Sequence, residues 1–188
     1  PDLNSWSFFI IYVNLDISAY YEKLETASTA SAHKKKQEGD YLENLFRYKL
    51  IMNKLDQNYQ PTQGYMLSFD QELPIYSDDL SVGNTLNFSK YHSVSDNLIL
   101  SGKLFLKSVN SIDDDVRVSR RIYIPSKNLR GFEPGKIGPK DGVEYVGGNF
   151  GSALNLNSTI PNVLNGFENI DLNFFFDAAT LREVDYDS

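Results

Sequence analysis

The sequence contains no cysteine, and only one tryptophan, two methionines and two histidines. Without thiols there is no thiolate metal site and no disulfide scaffold, and the compartment is left open. Cations are also in deficit: 18 Lys and Arg stand against 25 Asp and Glu, for a formal net charge of -7 and a pI near 4.8. A nucleic-acid partner needs clustered cations to meet its phosphates, so that class is excluded. Long apolar runs are missing too. The longest, Phe8 to Val13, is far shorter than the roughly 18 residues of a spanning helix, which excludes helical membrane proteins but leaves barrels open, because their strands alternate.

What is present is a period of two. In Tyr41 to Leu55, Leu42, Phe46, Tyr48, Leu50 and Met52 share one face, while Glu43, Arg47, Lys49 and Asn53 share the other. Such alternation reads as a strand with one apolar and one charged side. The same pattern recurs over 65–73, 98–109, 150–160 and 170–180, less clearly over 82–94, and over 8–24 with an apolar first half. This predicts seven antiparallel strands.

A soluble antiparallel β domain would alternate as well. Its strands, however, typically run about 5 to 6 residues, whereas membrane-spanning strands need about 9 to 11. Most of these runs fall in the longer class, and the charges on their polar faces suit a water-filled lumen. The fold class expected is therefore all-β: part of a transmembrane antiparallel barrel, since an odd strand number does not close a bacterial single-chain barrel. Antiparallel strands send alternate connections to opposite sides. Connections 25–40, 74–81 and 110–146 share one side, and 56–64, 95–97 and 161–169 share the other. The two longest fall together, on the side expected to be extracellular. The chain begins at Pro1-Asp2 without a Met or signal peptide and stops in a polar run at Ser188, so both ends read as cut.

Four motifs carry a family resemblance: Leu129-Arg130-Gly131-Phe132, then Ile137-Gly138-Pro139-Lys140, then Gly147-Gly148-Asn149 opening a strand, then Phe174 to Asp177 in the next. In this order and spacing, and with Asn53 to Gly64 as a strand-turn-strand segment, they resemble the BamA family of outer-membrane assembly factors, over about 40–187. The resemblance implies a sixteen-stranded barrel preceded by periplasmic POTRA domains, with residues 1–188 supplying an incomplete barrel similar to its seventh through thirteenth strands. POTRA domains and closing strands would lie outside this chain. The implied activity is folding and inserting other barrel proteins into the bacterial outer membrane, without nucleotide or other cofactor and without enzymatic catalysis. The implied partners are unfolded outer-membrane proteins, the lipid bilayer and, through regions outside this chain, assembly lipoproteins. A translocation relative of the TamA type, a two-partner secretion transporter and a passive outer-membrane pore are the alternatives.

The 37-residue connection 110–146 is too long for an ordinary turn. The 16 residues after Arg130 reach about 50 Å when extended at about 3.3 Å per residue, beyond the bilayer core of about 30 Å. The loop can therefore fold back into the lumen, and the resemblance places Arg130 against Asp177 there. Parity independently aims Asp177 inward, since Ile170, Leu172, Phe174 and Phe176 define the apolar face. A guanidinium fork suits a carboxylate because it donates two parallel hydrogen bonds. Gly131 is expected to turn the backbone and Phe132 to pack beside the guanidinium. Where the family commonly carries a second acid, Asn157 stands here. Asp78-Asp79 and Asp113 to Asp115 lack calcium-loop spacing and read as solvated loop acids; His33 to Lys36 reads as a solvated tip, and neither His33 nor His92 has a second ligand at metal spacing.

Overall fold

The computed structural model describes residues 11–112, 115–163 and 170–184. The expected start of the first strand at Phe8, and Asp113-Asp114, lie outside that range. Seven long strands form one antiparallel sheet: β1 (Ile11–Leu24), β2 (Gly39–Asn53), β3 (Gly64–Ser77), β4 (Ser81–Ser95), β5 (Leu98–Ser111), β8 (Phe150–Ile160) and β9 (Leu172–Arg182). Each pairs with its neighbour in the chain, leaving β1 and β9 at open edges. A two-residue hairpin, β6 (Lys140–Asp141) with β7 (Glu144–Tyr145), lies between β5 and β8. A 14-residue strand extends roughly 46 Å at about 3.3 Å per residue. Tilted by about 40° as barrel strands are, it spans roughly 35 Å of membrane height.

The alternation sorts the two faces. Leu15, Ile17, Leu50, Leu100, Leu154, Leu156, Phe174 and Phe176 are exposed on one side of the sheet, the side that meets lipid in a barrel. The buried cluster lies on the other, concave side: Phe105 and Val109 of β5, Ala153 of β8 and Leu181 of β9 pack with Val116, Ile122, Ile124 and Leu129. The last four belong to the β5–β8 connection. The core is therefore made by a loop laid against the inside of a wall.

One bound needs correction. The third connection, expected over 74–81, is only residues 78–80, because β3 continues through Pro74 to Ser77. A register shift between Asn44 and Leu45 of β2, opposite Pro74, absorbs the proline. Proline has no N–H to give the ladder, and a bulge is where sheets tolerate it. Segment 82–94, the weakest pattern, is a full 15-residue strand; its lumen face is built from Gly83, Thr85, Asn87 and Ser89, whose small and polar side chains blur the alternation without weakening the ladder. The long loop is also ordered: it carries two 3-10 turns, Val118–Arg120 and Ser126–Asn128, as well as the hairpin.

The connection before β2 contains a short helix, α1 (Ala32–Lys36), capped by the Ser31 hydroxyl on the Lys34 N–H. It joins the long loop on the same side of the sheet: Gln37 accepts from the Val118 N–H at 2.9 Å, and Lys34 pairs with Glu144. The reading of His33 to Lys36 as a solvated tip is thus replaced by a docked helix.

Candidate functional site in the inturned loop

The side chains of Ile122, Ile124 and Leu129 bind the loop to β5, β8 and β9 through apolar burial. That packing delivers Arg130 to the wall. Its Nε donates to Asp177 Oδ2 at 2.7 Å, and one terminal nitrogen donates to Asp177 Oδ1 at 2.6 Å and to Asn157 Oδ1 at 2.8 Å. The Arg130 backbone N–H adds a bond to Asp177 Oδ2 at 3.0 Å. Asn155, in register with Asp177, donates to its Oδ1 at 2.7 Å and to the Asn128 carbonyl at 3.0 Å. The Asp177 side chain is 3% exposed. A carboxylate that far from water is costly unless its oxygens are occupied, and here four donors occupy them.

The guanidinium lies flat on an aromatic ring, its carbon 3.8 Å from the ring centroid, but the ring belongs to Phe175 and not to Phe132. Phe132 is 61% exposed. The expected packing of Phe132 is therefore corrected. Gly131, with φ of +82°, reverses the chain immediately after Arg130 and sends the next side chain away from the wall. Phe175 faces inward by the same parity as Asp177, two positions away, so the strand supplies both the acid and the stacking surface.

The other motif residues tie the loop to the end of β8 and β9 without touching Arg130. Ile137 packs on the buried cluster. Gly138, at φ of +100°, sits so close to Leu181 that a Cβ would lie 2.8 Å from its Cδ2. The Pro139 carbonyl accepts from the Val146 N–H at 3.1 Å, and the Lys140 ammonium lies over the Tyr145 ring at 4.5 Å. Gly147 and Gly148 bring the chain alongside Ile122, with Gly148 and Ile122 exchanging backbone bonds of 2.8 and 3.0 Å. The Asn149 N–H donates to the Arg182 and Glu183 carbonyls.

A second charged cluster escaped the sequence reading. Arg117 is 2% exposed and pairs with the buried Glu43 of β2, with Glu22 of β1 at 3.3 Å, and with the Tyr41 ring at 4.0 Å. Arg120 pairs with Glu72 of β3 and lies 3.8 Å from Glu43, and Glu72 is shared with Arg47. Asp79 stands beside Arg117 in the β3–β4 turn, where burial pushes its carboxyl above the usual carboxylate range against the pull of Arg117. Asp79 is half-buried in this cluster, which corrects its reading as a solvated acid; Asp78 accepts from the Leu42 N–H, and Asp115 is exposed. A signal existed: three arginines within five residues, Arg117, Arg120 and Arg121, in a chain whose first three strands aim acids inward.

A family model for the Omp85 superfamily domain matches residues 2–188. Among solved structures, BamA from Haemophilus ducreyi lacking POTRA domains 1–3 superposes with a TM-score of 0.79 at 21% identity, over 91% of this chain and 38% of that one. The chain thus spans well under half the length of that structure, and the likeness shows the fold. No curated protein matches the chain.

Proposed function

The chain belongs to the Omp85 superfamily, and on that premise we propose that it is a wall segment of a bacterial outer-membrane barrel that folds and inserts other barrel proteins, with the Arg-Gly-Phe loop latched in its lumen. The observation that carries this reading is the Arg130–Asp177 fork, made by an inturned loop on the inner face of a sheet whose outer face is apolar. A passive pore needs no such clasp, because a loop that only narrows a channel is served by any packing.

On this reading the side carrying connections 25–38, 78–80 and 112–149 is extracellular, following the short-turn and long-loop asymmetry of outer-membrane barrels. The bilayer meets the face that carries Phe174 and Phe176. Unfolded outer-membrane proteins are the substrates, and assembly lipoproteins act through parts of the full protein outside this segment, as do POTRA domains. The process is non-enzymatic and uses no cofactor, with burial of substrate strands in the bilayer as its driving force.

The test uses the full-length gene in cells. Asp177→Arg places two cations face to face and is expected to lower the amount of correctly folded barrel proteins in the outer membrane; exchanging both charges, Arg130→Asp with Asp177→Arg, is expected to restore part of it. Unchanged barrel levels in the single variant would refute the latch.

A further inference from the structure

The loop touches the wall at two places that lie apart along the sheet. Arg117 and Arg120 meet acids on β1, β2 and β3, while Arg130 meets β8 and β9. Strands β4 and β5 lie between. From β2 to β9 the wall turns through five strand spacings, roughly 24 Å at about 4.8 Å each. The 13 residues from Arg117 to Arg130 reach about 43 Å when extended, so this stretch spans the gap with slack, and it uses the slack to press Ile122, Ile124 and Leu129 onto β5, β8 and β9.

We infer that Arg117 and Arg120 are a second anchor of the loop, and that they hold its first half on β1–β3 when the Arg130–Asp177 contact is broken. The loop is then a chord tied at both ends, and release at Asp177 swings its distal half without expelling the whole loop. Three observations support this. Arg117 and Glu43 are both buried, at 2% and 4% exposure, so loss of either takes from the other its nearest counter-charge. Arg117 and Arg120 between them engage three strands through Glu22, Glu43 and Glu72, which couples the loop to strand spacing there. Neither cluster shares a residue with the other, so each can break without removing a partner of the other. The inference concerns where the loop sits and does not depend on the insertion activity.

This segment has no cysteine, so disulfide pairs placed in the full-length protein in outer membranes read the two ends separately. Gln37→Cys with Val118→Cys reports the first anchor, since Val118 donates to Gln37 at 2.9 Å. Asn128→Cys with Asn155→Cys reports the second, where Asn155 donates to the Asn128 carbonyl at 3.0 Å. In an Asp177→Asn background the distal disulfide is expected to fall several-fold while the proximal one keeps its yield. In an Arg117→Met, Arg120→Met background the proximal disulfide is expected to fall several-fold. Joint loss of both disulfides in Asp177→Asn, or an undiminished proximal disulfide in the double Met variant, would overturn the inference. If the Met variant loses its heat-modifiable folded band, the charge exchange decides: Arg117→Glu with Glu43→Arg must recover the proximal disulfide relative to Arg117→Glu alone, and no recovery overturns it.

Discussion

Arg130 and Asp177, 47 positions apart in the chain, meet through two parallel hydrogen bonds of 2.7 and 2.6 Å, with Phe175 beneath the guanidinium. The pair is asymmetric: the Asp177 side chain is 3% exposed and that of Arg130 37%. The buried acid sits on the strand and is held by Asn155, while the more exposed arginine is carried by the loop. Each hydrogen bond to a charged group contributes about 1.5–3 kcal/mol, and the fork makes two of them.

The stacking surface is Phe175. Phe175→Leu removes a cation–π contact of about 0.5–2 kcal/mol and is expected to speed trypsin cleavage after Arg130 in intact membranes. Phe132→Ala, whose ring is exposed, is expected to leave the cleavage rate unchanged. The opposite ranking would show that Phe132 supports the guanidinium.

Asn157 accepts one bond from Arg130 at 2.8 Å. Asn157→Asp turns this bond from a cation to a neutral amide into an ion pair, which strengthens it, and the Asp177 oxygens already hold four donors. Slower trypsin cleavage of the loop is the expected result. Faster cleavage would mean that repulsion between the two acids outweighs the gain.

Gly138 is constrained twice, by its positive φ and by Leu181. Gly138→Ala is expected to destabilise the folded barrel by about 1–3 kcal/mol through backbone strain, read as a lower temperature at which the heat-modifiable band disappears. Adding Leu181→Ala opens the space but leaves the strain, so rescue should be partial. Full rescue would assign the whole effect to the side-chain clash.

Phe176 is 60% exposed on the apolar face. Phe176→Arg is expected to lower folding stability in lipid vesicles by about 2–4 kcal/mol if it lies near the bilayer midplane. Asn173→Arg, one position of opposite parity near the strand end, should cost much less. Equal costs would contradict the assignment of the faces.

Much of the wall was legible in the sequence. Alternation along β2, β5, β8 and β9 is a local property, because side chains in a strand must point to opposite faces whatever lies around them. Parity alone turned Asp177 and Asn157 inward, and the motif set joined them to Arg130. The bounds of β3 were not legible, since Pro74 is a break signal that is cancelled only by the register shift beside it, where Ile75 is left without a partner on β2.

The loop's other contacts had no local signature. That Phe175 and not Phe132 carries Arg130 depends on the chain reversal at Gly131, and that Arg117 finds Glu43 depends on how far the loop reaches across the wall. The sequence by itself determined strand direction and face, because those follow from a two-residue period; parity turned Asp177 inward, and the family resemblance paired it with Arg130. Only the tertiary structure decided which arginine meets which strand, because that pairing is set by curvature and loop path, to which residues distant in the chain contribute jointly.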